Sequence, residues 1–191
     1  MLKEIKAQLR ASTEIKQRML ADEAMIQLIE AVAQCCVQSF RDGNKIMLAG
    51  NGGSASDAQH IAAEFVGRYE QDRSGIPALA LPANSSTMTA VANDYGYEAV
   101  FQRQVQALGR SGDVFFGFST SGRSGNVVAA IQECKQLGIT TVGMTGASGG
   151  DMLELCDYCI CVPADNTARI QEAHITVGHI ICSLVERTLF S

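Results

Sequence analysis

The feature of this sequence that most restricts its fold is an alternation, from residue 45 onward, of short apolar runs with longer segments of helical periodicity. The runs typical of buried strands are residues 45–49, 78–81, 114–118, 140–144 and 158–162. The helical segments are residues 54–68, 86–93, 98–108, 125–137, 151–155 and 167–189. Strands that alternate with crossover helices form a mainly parallel sheet covered by helices on both faces. The sequence therefore predicts an α/β fold whose ligands bind beyond the carboxyl ends of the strands, in the loops after strands one, three and four.

The first 40 residues have a purely helical pattern. Apolar residues recur three and four positions apart at Leu2, Ile5 and Leu9, and then at Met25, Leu28, Ile29, Val32 and Cys36. This spacing predicts two amphipathic helices, the second closed by Gly43. Because the sequence contains no internal repeat or linker, we expect a single domain over residues 1–191, with a helical segment (1–42) and an α/β core (43–191). The apolar helix faces fit either an inter-subunit bundle or packing on the chain's own sheet.

Charge and cysteine content limit the partners and the location. The 15 lysine and arginine residues against 20 aspartate and glutamate residues give a formal charge of −5, which disfavours a nucleic-acid partner. No apolar run approaches the roughly 18 residues of a membrane span. Charged residues occur throughout the first predicted helix, whereas a secretory signal peptide has an apolar central region. The seven cysteines are scattered through apolar segments. We therefore expect a cytoplasmic protein in which the cluster Cys156, Cys159 and Cys161 acts as small buried hydrophobic side chains, since its C-x-x-C spacing lacks a second pair for a structural zinc site.

Two glycine- and hydroxyl-rich loops each lead into a helix. Residues 50–56 read Gly-Asn-Gly-Gly-Ser-Ala-Ser, and residues 119–125 read Ser-Thr-Ser-Gly-Arg-Ser-Gly. Glycines let backbone amides approach a ligand, and a helix N-terminus favours an anion. Neither loop has the Gly-Lys-Ser/Thr ending of a nucleotide-triphosphate loop. The pair therefore predicts a phosphorylated ligand that is not a nucleotide, with ordinary turn and capping chemistry as the alternative.

All three histidines fall on two predicted helices. His60 and Glu64 are four residues apart, on one helical face, as in a metal half-site, an acid–base pair or a purely structural pair. On the last helix, His179 stands among apolar residues, which is typical of a core histidine. Gln171 and His179 lie eight residues apart, a rise of about 12 Å, which is long for two side chains converging on one atom. A substrate stretched between them, or a site built from two subunits, would explain the spacing.

The order and spacing of these motifs resemble those of the phosphoheptose isomerases, a family of the sugar-isomerase (SIS) superfamily. The matching segments are Gly50-Asn51-Gly52-Gly53-Ser54, His60-x-x-x-Glu64-x-x-Gly67-Arg68-Tyr69, Asn93-Asp94, Ser119-Thr120-Ser121-Gly122-x-Ser124, and Arg169-Ile170-Gln171-Glu172-x-His174 through His179. The resemblance covers nearly the whole chain. It implies a three-layer, flavodoxin-like SIS domain with a five-stranded parallel sheet, helices on both faces and N-terminal helices. It also implies a homotetramer with active sites at subunit interfaces.

The activity implied by the resemblance is conversion of sedoheptulose 7-phosphate to D-glycero-D-manno-heptose 7-phosphate, the first step toward nucleotide-activated heptose for surface lipopolysaccharide. Glu64 would be the base and His179 the acid acting on an enediol. One zinc ion per subunit would be bound by His60, Glu64, Gln171 and His179. The implied substrate contacts are Asn51, Gly52, Gly53, Glu64, Arg68, Asn93, Asp94, Ser119, Thr120, Ser121, Ser124 and Gln171. Arg123 replaces a small polar residue familiar in the family, which alters the local charge.

Two other functions fit the same sheet and serine-rich loop. One is a non-catalytic SIS module that binds a phosphosugar or a protein partner for regulation, as in members associated with replication initiation. The other is an isomerase of a different phosphosugar, such as arabinose 5-phosphate. A pure binder has no chemical need for the Glu64 and His179 pair, so the sequence favours the isomerase.

Overall fold

A computed structural model describes residues 1–190 of the chain. Its helices are α1 (Leu2–Leu20), α2 (Glu23–Arg41), α3 (Gly53–Val66), α4 (Ser85–Tyr95), α5 (Val100–Leu108), α6 (Gly125–Gln136), α7 (Met152–Leu155) and α8 (Thr167–Phe190). Its strands are β1 (Ile46–Gly50), β2 (Ala78–Ala80), β3 (Val114–Phe118), β4 (Thr140–Thr145) and β5 (Tyr158–Cys161). Each predicted strand and helix is therefore present, with ends shifted by a few residues. The run 78–81 stops at Ala80 because Leu81–Ala83, which contains Pro82, turns as a 3₁₀ helix.

The strands form one parallel sheet in the order β2-β1-β3-β4-β5. Ile46 of β1 pairs with Ala78 of β2 on one side and with Val114 of β3 on the other. Strand order reverses between β1 and β3, and in open parallel sheets of this order a ligand crevice opens at that point. The loops that follow β1 and β3 therefore face each other across the crevice, and the predicted flavodoxin-like topology is confirmed.

Two apolar cores cover the two faces of the sheet. Successive strand residues point to opposite faces, so Leu48 and Phe116 enter one core while Met47 and Phe115 enter the other. Residues of α1, α2, α3 and α8 line the first core, and residues of α5, α6 and α7 line the second. These layers confirm the predicted three-layer α/β architecture.

The sequence left two arrangements open for the N-terminal helices, packing on the chain's own sheet or an inter-subunit bundle, and α1 and α2 differ in this respect. The α2 helix is capped by Asp22, whose carboxylate accepts a hydrogen bond from the Met25 N–H at 3.0 Å, and it buries its apolar face in the first core. In contrast, α1 buries Ile15 and Met19 but leaves Leu2, Ile5 and Leu9 more than half exposed. Packing on the chain's own sheet is thus confirmed for α2, while the inter-subunit bundle stays a prediction. Among residues 1–190, no helix combines the length and apolar character needed to cross a membrane.

The expectation that Cys156, Cys159 and Cys161 are buried was wrong, because all three are partly exposed. Ile160 enters the core beneath β5, so the neighbouring strand positions 159 and 161 face the opposite, more open side of this edge strand.

Candidate active site

The loop after β1 is joined by a reciprocal pair of amides to the first turn of α6, the helix that follows the loop after β3. Asn51 Nδ2 donates to Asn126 Oδ1, and Asn126 Nδ2 donates to Asn51 Oδ1, both at 2.8 Å. The Tyr97 hydroxyl donates to the same Asn51 oxygen at 3.0 Å. These bonds fix which way the Asn51 amide points, so one face of the crevice is set before a ligand arrives.

In the loop after β3, residues 119–124, the serine hydroxyls form hydrogen bonds with one another. The buried Ser119 Oγ lies 2.8 Å from Ser124 Oγ and 3.4 Å from Ser121 Oγ. Gly122 has a φ of 65°, and a Cβ there would collide with the carbonyl oxygen of Gly149. The loop after β4, residues 146–151, therefore supports the serine loop from behind. Hydroxyls and helix-start amides gathered in this way suit a phosphate.

His60, Glu64 and His179 meet at one point. His60 Nε2 lies 3.0 Å from Glu64 Oε1 and 3.2 Å from His179 Nε2. One ligand atom from each residue lies within 4.8 Å of the others. The prediction that His60 and Glu64 share a helical face is confirmed, and α8 adds His179 from the opposite side.

A glycine allows α3 and α8 to approach closely enough for this meeting. A Cβ on Gly178 would lie 2.5 Å from Ile61 Cδ1, so a larger residue at 178 would have to displace the Ile61 side chain that packs between the two helices. The Tyr69 ring lies 5.7 Å from the His179 ring, between centroids, and restricts that imidazole from a third direction.

The core histidine of this protein is His174 rather than His179. His174 is fully buried, its Nε2–H donates to the Thr145 carbonyl at 3.1 Å, and burial lowers its pKa to about 4. It is therefore neutral at physiological pH. His179 lies half-buried beside His60, so the alternative that His179 is a core histidine is wrong.

The remaining predicted site residues lie around these groups. Gln171 Nε2 lies 3.4 Å from Ser54 Oγ, and the Gln171 side chain fills the space where a Cβ on Gly53 would stand. Gly52 precedes α3 with a φ of 57°.

Asn93 and Asp94 are exposed near the end of α4, where the Asn93 amide donates to the Asp94 carboxylate at 2.8 Å. Arg68 is exposed just beyond α3, and Thr120 is half-buried between Ser119 and Ser121.

Sequence reasoning missed the residues that brace the site. Glu186 accepts hydrogen bonds from the backbone N–H groups of Tyr69, Glu70 and Gln71 and from Arg73 Nε. Burial alone would raise the pKa of Glu186, but these four donors hold it below its ordinary value. Arg73 also donates to carbonyl oxygens at the end of α3, which carries Glu64.

Asp57 was also missed. It lies one turn before His60 on α3, where burial raises its pKa to about 6 against the opposing influence of His60. A carboxyl group with that pKa exchanges protons near neutral pH, beside the cluster of two histidines and a glutamate.

The donor set of this cluster fits a metal ion. Two imidazole nitrogens and one carboxylate oxygen, each from a side chain facing a common point, form the three-ligand set typical of catalytic zinc. The structure therefore contains a candidate metal site of His60, Glu64 and His179, while Gln171 contacts Ser54.

Comparisons with known proteins agree with this geometry. The SIS domain family matches residues 9–146. The phosphoheptose isomerase of Aneurinibacillus thermoaerophilus is 56% identical over 97% of this chain and 94% of its own length. Two solved structures of phosphoheptose isomerases share the fold. The one from Neisseria gonorrhoeae is 37% identical with a TM-score of 0.91, and the match covers 98% of this chain and 100% of that one. The one from Francisella tularensis is 33% identical with a TM-score of 0.93, and the match covers 97% of this chain and 98% of that one. With relatives this similar matching it nearly end to end, the chain belongs to the phosphoheptose isomerase family of SIS domain proteins.

Proposed function

We propose that this protein isomerises sedoheptulose 7-phosphate to D-glycero-D-manno-heptose 7-phosphate through an enediol intermediate. The observation that carries the proposal is that His60 and Glu64, on the helix that follows a glycine-rich loop, meet His179 of α8 at one point, in a chain of the phosphoheptose isomerase family. The reaction must move one proton between C1 and C2 and another between their oxygens. It therefore needs a carbon base and an acid near the same two carbons.

The phosphate end of the sugar is assigned to the serine loop. Ser119, Thr120, Ser121 and Ser124 supply hydroxyl donors, and the bond between Ser119 and Ser124 holds two of them in place before binding. Because the phosphate does not react, its binding energy can align the distant reactive carbons. Asn51 of the opposing loop, held by Asn126, would orient the sugar hydroxyls together with Gly52, Gly53, Asn93, Asp94, Arg68 and Gln171.

Glu64 is the proposed carbon base, and His179 the proposed acid at the oxygen that becomes negative. A positioned acid or base of this kind typically contributes about 10²- to 10⁴-fold. His60 touches both Glu64 and His179, so it orients the two groups that exchange protons with the substrate.

His60, Glu64 and His179 would hold a zinc ion, one per subunit, with Gln171 as the fourth ligand. A bound zinc ion supplies Lewis-acid polarisation of the sugar carbonyl. A carboxylate that donates to zinc is a weaker base, so the two roles of Glu64 compete. In this structure Glu64 Oε1 faces His60, which leaves its second oxygen for the substrate.

Assembly and location are further parts of the proposal. We assign residues 1–42 and 43–191 to one domain, since α2 packs on α8 and the first core. The exposed apolar residues Leu2, Ile5 and Leu9 of α1 support a homotetramer built through the N-terminal helices. A cytoplasmic protein supplying the first intermediate of heptose for lipopolysaccharide is consistent with these features.

The test is to incubate the purified protein with sedoheptulose 7-phosphate and with shorter ketose phosphates, following products by NMR. The proposal predicts the aldose 7-phosphate as the product, with slower turnover of the shorter sugars. Faster turnover of a five-carbon substrate would indicate an isomerase of another phosphosugar. Binding of the heptulose without turnover, in zinc-loaded protein, would identify a non-catalytic SIS module and contradict the proposal.

A further inference from the structure

We propose that Cys159 and Cys161 form a thiol–disulfide redox site, in which Cys161 attacks a small-molecule disulfide and Cys159 then closes an intrachain disulfide. The pair lies outside the isomerase site, on the edge strand β5. The two sulfur atoms are 3.8 Å apart, and both side chains are partly exposed, so an external disulfide can reach them.

Strand geometry permits the bond. Residues two apart in a strand point to the same face, and their Cα atoms lie about 6.6 Å apart, since each residue rises about 3.3 Å. Disulfides form at Cα separations up to roughly 6.8 Å. The spacing of Cys159 and Cys161 is therefore within the range in which a disulfide can close, and exposed disulfides are the readily reduced ones.

The surroundings divide the two thiols into an attacking and a resolving group. The hydrogen bond from Cys159, assisted by one from the Thr145 hydroxyl at 3.3 Å, outweighs burial and lowers the pKa of Cys161 to about 6. The same bond to Cys161, together with burial, raises the pKa of Cys159. Burial raises the pKa of the neighbouring Cys156 to about 12. The Thr145 hydroxyl donates to the Cys161 sulfur and so stabilises a thiolate there, and thiolates are the nucleophiles in disulfide exchange. We therefore assign Cys161 as the attacking thiol and Cys159 as the resolving one.

The chemistry balances in two exchanges. The Cys161 thiolate attacks one sulfur of a disulfide R–S–S–R, forms a mixed disulfide and releases R–S⁻. Cys159 then gives its proton to R–S⁻ and attacks the Cys161 sulfur, which releases a second R–S⁻. Two protein thiols are oxidised to one disulfide, and one small-molecule disulfide is reduced to two thiols.

The position of Cys161 connects this chemistry to the serine loop. A Cβ on Gly149 would lie 3.2 Å from the Cys161 sulfur, while the Gly149 carbonyl packs directly against Gly122. The Cys161 sulfur therefore lies beside Gly149, and drawing it toward Cys159 changes the packing next to the loop that supports the serine loop. We therefore expect the disulfide form to have a several-fold higher KM for the sugar phosphate, a consequence that rests on the proposed function.

The experiment is to incubate the folded protein with glutathione disulfide, alkylate the remaining thiols, and measure intact and peptide masses. Wild type and the control variant Cys35→Ser should lose two hydrogen atoms and yield a linked peptide of residues 159 and 161. Cys159→Ser should stop with one glutathione on Cys161, and Cys161→Ser should react most slowly. Linkage or glutathione mainly at other cysteines, or a Cys161→Ser variant that reacts as fast as wild type, would overturn the redox site.

The link to binding is measured separately, as KM of the oxidised protein before and after dithiothreitol. A raised KM that dithiothreitol reverses, in wild type and Cys35→Ser alike, supports the link. An unchanged KM in fully disulfide-bonded protein overturns it. Reduced protein without isomerase activity would refute the proposed function instead, while the mass measurement would still decide the redox site.

Discussion

Replacing Glu186 by glutamine tests whether the buried brace behind the active site stabilises the fold. Glu186 is 1% exposed. One of its carboxylate oxygens accepts from the N–H groups of Glu70 and Gln71, and the other accepts from Tyr69 N–H and Arg73 Nε. Glutamine keeps the shape but presents an NH₂ group to one of these two pairs of donors, where it cannot accept.

The expected cost follows from those contacts. Two hydrogen bonds to a charged acceptor are lost, at about 1.5–3 kcal/mol each, or about 3–6 kcal/mol together. Breaking a buried ion pair by removing one partner costs a similar amount, roughly 3–5 kcal/mol, because the Arg73 guanidinium stays buried. Such a loss is a large share of the roughly 5–15 kcal/mol by which domains are stable. Since Tyr69 touches His179, turnover should fall as well.

Urea unfolding of Glu186→Gln and of the matched control Glu70→Gln measures this difference. Glu70 pairs with Arg187 at 3.0 Å on the surface, and such exposed pairs contribute about 0–1 kcal/mol. The native pKa of Glu186 lies below its ordinary value of 4.5, so its stabilisation is complete above that pH and is lost as the pH falls through the native pKa. The gap between wild type and Glu186→Gln should therefore narrow in acid. A cost for Glu186→Gln as small as that for Glu70→Gln would refute the reasoning.

Further predictions concern the geometry of the site. Gly178→Ala would stabilise α8 by about 1 kcal/mol through helix propensity, yet it should lower kcat because the new Cβ meets Ile61. Adding Ile61→Val to the same chain should restore part of the lost kcat. An unaffected kcat in Gly178→Ala would contradict the close approach of the two helices. Asn126→Ala removes both bonds to Asn51 and should lower kcat/KM about tenfold; equal values for variant and wild type would mean that the amide needs no brace. Removing metal with a chelator should abolish both bound zinc and turnover, with recovery in proportion to zinc added back; full activity in metal-free protein would exclude the proposed cofactor role.

Much of the fold could be predicted because parallel sheets and crossover helices leave strong local patterns. The run at 114–118 became β3 with the same bounds, since all five of its residues are buried. The ends of helices and strands were less predictable where a turn forms next to the helix or strand. The predicted helix at 98–108, for example, begins as a 3₁₀ turn at Tyr97–Ala99 and becomes α-helical at Val100.

The site was predictable where its residues are close in sequence, as with His60 and Glu64, and less so where distant segments meet. Asn126 lies 75 residues from Asn51, so no local pattern joins them. On α8, His174 and His179 stand in similar apolar surroundings, but five residues turn a helix by about 140°. One imidazole therefore enters the core and the other reaches α3, a difference that depends on how the helix packs rather than on its composition.

The most direct measurement of the proposed chemistry is the exchange of C1 protons of sedoheptulose 7-phosphate with D₂O, followed by NMR for wild type, Glu64→Gln and the surface control Glu70→Gln. The proposal predicts that wild type and Glu70→Gln incorporate deuterium and form the aldose. Glu64→Gln should still bind the sugar but lose both exchange and turnover. Exchange by Glu64→Gln at the wild-type rate would contradict the assignment of Glu64 as the carbon base.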